Sequence, residues 1–286
     1  MKQPFDLEWF GGAPERYFRK LRPGVEELPW GTLRPADYPP LLVERARISW
    51  TEAAFNEYCT AAAFSDLLGA LLAVRAPIDL IGMASDFVTD ELLHVELTAR
   101  LAMELGGGAP YQVDFEALTR RLAPAPGAAS AQQRANELVM RVCCVGEAFS
   151  VPMLSGCMQS AAHPLTRGVL EMIVRDEAPH GRFGWLYLDW CAESPGFDDA
   201  ERARLAGVAL GELEIFQRYW KRLRSTVKDG RTSEGFLLSH VNQLGWMDSE
   251  SYAAAARQAV REGIVAPLAR HGIELPPAAV DALLGA

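Results

Sequence analysis

Two pentapeptides of the sequence share the pattern Asp-Glu-x-x-His: DELLH at residues 90–94 and DEAPH at residues 176–180. Side chains three positions apart lie on the same face of an α-helix, so each pattern directs a carboxylate and an imidazole toward one point. Oxygen and nitrogen donors in this combination suit iron or manganese. Two of the five histidines of the chain fall in these patterns. The repeat therefore predicts a metal site made of Glu91, His94, Glu177 and His180.

Two further glutamates precede the repeated patterns at similar distances. Glu57 lies before Glu91, and Glu147 lies before Glu177. If each pair is on two antiparallel helices joined by a short central link, these separations place its two glutamates at the same height along the helix axes. A lone carboxylate on an apolar helix face is costly to bury unless it has a partner, and a metal ion supplies one. Glu52 is the alternative on the first helix. Its spacing from Ser49 is that of a helix-capping box, so we favour Glu57 as the metal ligand.

The elements that must position these residues are helices. Capping-box patterns at Ser49 and Ser130 predict the starts of two of them. The sequence predicts four long helices, at about residues 49–75, 78–105, 130–157 and 166–191, with short links after the first and third and a long crossover at residues 109–129. This is the connectivity of a ferritin-like four-helix bundle with one long crossover.

The remaining segments are expected to add to this bundle within a single domain, residues 1–286. Residues 1–48 are predicted to form an arm over the core, and residues 192–286 to form accessory helices. These are expected at about residues 198–227, with one or two more near residues 233–243 and 250–270. We find no convincing strand pattern. The fold class predicted is all-α.

Pro179 and Gly181 flank His180 inside the fourth predicted helix. Proline in a helix interior removes one backbone hydrogen bond and crowds a carbonyl group, at a cost of about 3 kcal/mol. Either the helix ends at Ala178 and another begins at Pro179, or one kinked helix continues through the site. The match with DELLH favours the continuous helix.

Composition limits the functional classes. A net charge of −9 and a pI near 5.2 argue against a nucleic-acid-binding surface. The N-terminus does not have the pattern of a signal peptide, and we expect no membrane span. The cysteines are odd in number and lack paired spacing, which is typical of free, buried thiols in a reducing compartment. We therefore expect a cytoplasmic protein.

The order Glu, Glu-x-x-His, Glu, Glu-x-x-His resembles that of the ferritin-like non-haem diiron carboxylate proteins, over about residues 49–191. The resemblance implies two iron ions, or a manganese–iron pair, and it implies as their ligands Glu57, Glu91, His94, Glu147, Glu177 and His180. Asp90 and Asp176 resemble the aspartates of such sites that bind a ligand histidine through the ring nitrogen that does not face the metal. The alternative is that both aspartates lie on a solvated helix face. The spacing is similar to that of the arylamine N-oxygenases that act on p-aminobenzoate-like substrates. That family has a third histidine where this sequence has Ile173.

The resemblance implies a non-haem diiron oxidoreductase that activates O2 to oxygenate, N-oxygenate or desaturate a small organic substrate. Its electrons would come from an external donor, and a homodimer is the default assembly. The alternative is a ferritin-like ferroxidase or iron-binding protein. The arm and the C-terminal segment favour the oxidoreductase, because a substrate pocket needs such a cover.

Overall fold

The computed structural model describes residues 2–116, 130–194, 196–221 and 225–285, and helices dominate these ranges. The all-α prediction is confirmed. The helices are α1 (Gly12–Leu21), α2 (Pro40–Ala73), α3 (Ile78–Glu104), α4 (Ala131–Ser160), α5 (Pro164–Ala192), α6 (Asp199–Phe216), α7 (Arg218–Lys221), α8 (Leu238–Gln243), α9 (Ser249–Gln258, continued by Ala259–Val265 and Ala266–Arg270) and α10 (Pro277–Leu284). Single turns of 3-10 helix occupy Val25–Glu27 and Pro35–Asp37.

Helices α2 to α5 form a four-helix bundle. The short link at residues 74–77 pairs α2 with α3, and the link at residues 161–163 pairs α4 with α5. Helix α2 also packs against α4, and α3 against α5. The long crossover joins α3 to α4, as the sequence predicts, and its residues 117–129 lie outside the described ranges. Helix α3 ends where Gly106 and Gly107 take φ values of 107° and 109°, which residues other than glycine rarely adopt.

The predicted start of the first bundle helix is wrong. Helix α2 begins at Pro40, because proline suits the first position of a helix, and Ser49 lies inside the helix and caps nothing. The arm is therefore shorter than residues 1–48, and it contains the helix α1. The second capping prediction is confirmed: the Ser130 hydroxyl accepts a hydrogen bond from the Gln133 backbone N–H at 3.1 Å.

Two apolar clusters fill the bundle and leave a polar layer between them. One cluster contains the α2 residues Ala63, Phe64, Leu67 and Leu71. The other contains the α2 residues Leu42, Val43, Ala46 and Trp50. Helices α3 and α5 divide between the two clusters in the same way. The polar layer lies at the middle of each helix, which is where the predicted metal ligands stand.

The C-terminal part differs from the sequence prediction in several respects: the helix predicted near residues 233–243 begins only at Leu238, and α10 was not predicted. Helix α6 ends at Phe216 and is followed by the short α7, so the predicted helix does not reach Val227. Val227 instead lies in strand β3 (Val227–Lys228), which pairs with β4 (Arg231–Thr232) through a turn at Asp229-Gly230. Both turn residues have positive φ, which explains the Asp-Gly pair. A second short pair, β1 (Gln3–Pro4) with β2 (Gln112–Val113), ties the arm to the crossover.

Among the described residues, one helix is long and apolar enough to cross a membrane by length and composition, which the sequence analysis did not anticipate. This helix is α4, and 61% of its most apolar window is buried in the protein. Its apolar side chains belong mainly to the cluster that contains Phe64. Burial of this kind is typical of the core helix of a soluble protein.

Candidate metal centre

The polar layer of the bundle brings all six predicted ligands together. Two overlapping groups of side chains each place their donor atoms within 4.8 Å of one another and could hold a metal ion. One group is Glu57, Glu91, His94 and Glu177, and the other is Glu91, Glu147, Glu177 and His180. Glu91 and Glu177 belong to both groups. Each group therefore combines one histidine, one glutamate of its own and two shared glutamates.

The imidazoles face the shared carboxylates across the α3–α5 interface. His180 Nδ1 lies 3.1 Å from Glu91 Oε1 and 3.1 Å from Glu177 Oε2. His94 Nδ1 lies 3.2 Å from Glu177 Oε1 and 3.9 Å from Glu91 Oε2. Both histidines therefore present the same ring nitrogen to the centre of the site.

Most of these donor atoms are buried without a hydrogen bond. Both carboxylate oxygens of Glu91, both ring nitrogens of His94, Glu177 Oε2 and His180 Nδ1 lack a hydrogen-bond partner among the described residues. Leaving a buried polar atom unpaired costs about 1–3 kcal/mol, and more for a charged group. A cluster of such atoms pointing at one another is unfavourable as a purely structural core. The carboxylate oxygens and the two Nδ1 atoms fit a bound cation, which would accept their lone pairs, whereas His94 Nε2 faces Asp176 outside the donor groups.

Burial changes the protonation of the two unshared glutamates. Burial raises the pKa of Glu57 well above its ordinary value, and the nearby charge of Glu91 raises it further. Burial and the charge of Glu177 do the same to the pKa of Glu147. Without a cation, both shifts therefore favour the protonated carboxyl.

The two histidines respond in the opposite sense to their burial. Burial alone would lower the pKa of His180, but its contacts with Asp90, Glu177 and Glu91 outweigh that effect and raise the pKa to about 12. The pKa of His94 is also raised well above its ordinary value, because its carboxylate neighbours outweigh burial. Burial would raise the pKa of Glu177, yet its two imidazole neighbours hold it far below the usual range. In the metal-free site these shifts favour the imidazolium form of both histidines, the carboxylate form of Glu177 and the carboxylic acid form of Glu57 and Glu147.

The aspartates of the repeated pattern contact the opposite histidine. Asp90 on α3 places Oδ2 3.4 Å from His180 Nε2 on α5, and Asp176 on α5 places Oδ2 3.9 Å from His94 Nε2 on α3. Asp90 is buried, so the alternative of a solvated helix face does not describe it. The aspartate of each repeated pattern therefore contacts the histidine of the other pattern.

Each aspartate also contacts an arginine that the sequence analysis did not identify. Arg22 donates from Nε to Asp90 Oδ1 at 2.6 Å, and Arg175 donates from Nε to Asp176 Oδ1 at 2.9 Å. Arg175 is adjacent to its aspartate in the sequence and could have been proposed from that position. Arg22 lies in the arm, far from Asp90 in the sequence, and nothing in the local pattern indicates the contact.

Glu147 lies at the end of a π-helical segment. The sequence analysis did not predict this segment. Residues Met140–Glu147 of α4 form π-helix, a rare form that is frequent at functional sites. In the π-helix, residues five apart share a face, and Val142 indeed lines the same cavity as Glu147. The segment ends at Glu147, where ordinary α-helix resumes.

Helix α5 runs unbroken through Pro179, which confirms the continuous helix. Gly181 and Gly184 lie where α5 approaches α4 closely. A Cβ atom on Gly181 would lie 3.2 Å from Val151 Cγ2, and one on Gly184 would lie 2.6 Å from Cys144 Sγ. Glycine at these positions lets the helix that bears His180 pack directly on the helix that bears Glu147.

A cavity of about 610 Å³ opens on the carboxylate side of the centre. Glu57, Glu147 and Glu177 line its inner end, whereas His94 and His180 are not among the described residues around it. Apolar side chains form much of the wall, including Val142, Phe149, Met153, Leu170, Ile173 and Trp246. Glu52 lies exposed at the cavity and belongs to neither donor group. The centre is thus open toward the cavity and covered on its histidine side by the aspartate–arginine pairs.

Comparison with protein-family models gives no match for this chain, and comparison with curated protein sequences gives none either. The function is therefore inferred from the site itself.

Proposed function

We propose that this protein is a non-haem diiron oxidoreductase that uses O2 to oxidise a small organic substrate. The observation that carries the proposal is the pair of overlapping donor groups, which share Glu91 and Glu177. In this proposal Glu57 and His94 would hold one ion, Glu147 and His180 would hold the other, and Glu91 and Glu177 would serve as ligands in both groups. Buried donor atoms without hydrogen bonds support this assignment.

The donor set favours iron or manganese. Carboxylate oxygen and imidazole nitrogen suit these metals, whereas structural zinc sites are built mainly from cysteine and histidine, and neither donor group contains a cysteine. Bound as a ferrous pair, iron supplies electrons for the reduction of O2. A full catalytic cycle needs further electrons, and we propose an external donor for them. The residues around the metals position the substrate and exclude bulk water.

The cavity favours an oxidoreductase over the alternative ferroxidase. Its wall is largely apolar, and it meets the donor groups at Glu57 and Glu147. Side chains beyond the four-helix bundle complete it, among them Phe216 from α6 and Tyr252 from α9. An organic molecule of modest size fits such a space, whereas passage of iron ions does not require an apolar chamber.

Reaction with O2 tests the proposal. Protein loaded with ferrous iron under argon is mixed with oxygenated buffer, and the absorbance is followed by stopped flow. Small aromatic and aliphatic compounds, beginning with p-aminobenzoate, are then added with a chemical reductant, and oxidised products are sought by mass spectrometry. We expect oxygen-dependent product from at least one compound class. Leu154→Trp, which fills the cavity without touching a proposed ligand, should decrease product formation while the iron content stays the same.

Repeated additions of ferrous iron in air distinguish the two activities. An oxidoreductase of this design stops taking up iron at about two ions per chain. Continued uptake into a mineral, with no organic product, would establish the ferroxidase instead.

A further inference from the structure

Arg22 joins the N-terminal arm to the helix that bears Glu91 and His94. It follows the last residue of α1 and donates from Nε to Asp90 Oδ1 at 2.6 Å. Its Nη2 donates to the Asp86 carboxylate at 2.8 Å and to the Asp86 carbonyl oxygen at 3.3 Å. Nη1 donates to the Leu21 carbonyl oxygen at 3.0 Å. All three guanidinium nitrogens are thus engaged, and the side chain has one defined position across a turn of α3.

The contact continues from Asp90 to the proposed metal ligand. Asp90 Oδ1 accepts the hydrogen bond from Arg22. The other carboxylate oxygen, Asp90 Oδ2, faces His180 Nε2 at 3.4 Å. When Nε2 carries a proton directed at Asp90, the lone pair of the imidazole is on Nδ1, which faces the donor groups. The orientation and tautomer of His180 therefore depend on Asp90, and the orientation of Asp90 depends on Arg22.

The other histidine is held differently. Asp176 is bound by Arg175, its neighbour in the sequence, and the Arg175 side chain is 65% exposed, whereas that of Arg22 is 17% exposed. The distance from His94 Nε2 to Asp176 Oδ2 is 3.9 Å, which is too long for a hydrogen bond. A nearly buried contact between distant segments thus fixes His180, whereas an exposed local contact supports His94.

Polar contacts hold α1 and the residues just after it on α3, whereas Val25 and Leu33, later in the arm, pack in the apolar cluster that contains Leu97. No residue of α1 is buried. The attachments include an ion pair between Arg19 and Glu96, and Arg100 donates to Glu26 at 2.7 Å. Among these attachments, Arg22 reaches an aspartate that contacts a proposed metal ligand.

We propose that Arg22 is a positioning residue for the half of the metal centre that contains His180 and Glu147. The inference rests on the proposed dimetal site. Without Arg22, Asp90 loses its partner on Oδ1 and is free to turn away from His180, so the ion at His180 binds more weakly. The ion at His94 keeps its ligands. Loss of the outer partner of a metal-bound histidine typically weakens metal binding by about 10–100-fold.

Cobalt(II) titration tests this proposal, because the visible absorption of the bound ion reports its ligands independently of any activity. The titrated proteins are the wild type, Arg22→Gln, Arg22→Lys and Asp90→Asn, and Arg19→Gln is the control, because Arg19 anchors the same arm without contacting Asp90. The expected result is two bound ions in the wild type and in Arg19→Gln. In Arg22→Gln and Asp90→Asn one ion binds as in the wild type, and the second binds at least about 10-fold more weakly. Arg22→Lys should restore part of that loss.

Three outcomes would overturn the proposal. Wild-type affinity and spectrum for both ions in Arg22→Gln would show that Arg22 does not position His180. Equal weakening in Arg19→Gln and Arg22→Gln would assign the effect to docking of the arm as a whole. No cobalt bound by the wild type would remove the dimetal site itself, and with it this inference. Circular dichroism of each metal-free variant confirms that it is folded before the titration.

Discussion

His180 Nδ1 and Glu91 Oε1 lie 3.1 Å apart in the middle of the bundle, and neither atom makes a hydrogen bond to a described residue. The two residues are on different helices, and each belongs to one of the repeated Asp-Glu-x-x-His patterns. Atoms that are close, buried and unpaired need a shared cation or bound protons. Exchange between protons and metal ions is therefore the chemistry to be measured first in this site.

Metal binding should release protons. The pKa values of Glu57, Glu147, His94 and His180 are all raised, so each group keeps its proton to a higher pH in the folded chain than in the unfolded chain. Ligands bind metal in their deprotonated forms, so filling both groups should displace a measurable number of protons. Calorimetric titration with ferrous iron in buffers of different ionisation enthalpy measures this number. An observed enthalpy that does not depend on the buffer would contradict it.

The metal-free protein should lose stability as the pH rises above about 6.5, the ordinary pKa of histidine. A raised pKa means that the folded chain keeps protons which the unfolded chain has lost, so this contribution is present at low pH and is lost as the pH rises. Glu57, Glu147, His94 and His180 all act in this direction. Glu177 acts in the opposite sense, because its lowered pKa gives a contribution that is lost only in acid.

Urea denaturation of the metal-free protein at several pH values measures this dependence. The free energy of unfolding should fall with rising pH, and metal-loaded protein should show a smaller fall, because its ligands have already lost their protons. A free energy of unfolding that rises with pH in this window would be inconsistent with buried, protonated carboxyls.

Gly184→Ala should destabilise the protein by about 1–3 kcal/mol, as overpacking of a tight interface does. The new Cβ would lie 2.6 Å from Cys144 Sγ and 3.0 Å from the Cys144 backbone nitrogen. Gly207→Ala on α6 is the matched control, since no atom lies within 4 Å of its Cβ position. There alanine should be neutral or stabilise the helix by up to about 1 kcal/mol. Equal thermal stability of the two variants would show that α5 and α4 are not in close contact.

Cysteine alkylation should be confined to one position in the native protein. Cys143, Cys144, Cys157 and Cys191 are buried, and Cys59 is half-buried. Burial raises the pKa of Cys157 to about 11, so about one in a thousand of its thiols is ionised at pH 8. Iodoacetamide at pH 8 should label Cys59 first, and all five only in denaturant, as read by peptide mass spectrometry. Rapid native labelling of Cys157, which lines the cavity, would contradict this prediction and show that iodoacetamide reaches the thiol from the cavity.

The repeated pattern made the donor set predictable, because spacing on a helix determines which side chains share a face. Glu57 and Glu147 were harder to assign. Each was inferred only because antiparallel packing of two helices was expected to place it at the same height as a glutamate of the repeated pattern. The structure brings both to the site, with Glu52 left at the exposed end of the cavity. Ser49 shows how a local pattern fails: Ser-x-x-Glu occurs inside α2, and the proline at its true start carries the stronger signal.

Other features depend on packing that spacing alone does not encode. The π-helical segment at Met140–Glu147 carries no local sequence signal that the analysis of spacing could use. Arg22 reaches Asp90 only because the arm folds back over α3. The Asp-Gly turn after Val227, by contrast, is a hairpin signal that was present in the sequence and was overlooked.

Counting the iron in the protein tests the dimetal site most directly. Wild-type protein, Glu91→Gln and Glu177→Gln are loaded with ferrous iron under argon, desalted and analysed for metal, with Glu52→Gln as the control on the same helix as Glu57. We expect about two irons per chain in the wild type and in Glu52→Gln, and loss of iron in both other variants, because each removes a shared ligand. Wild-type protein that retains no iron, or variants of Glu91 and Glu177 that retain two, would contradict the account.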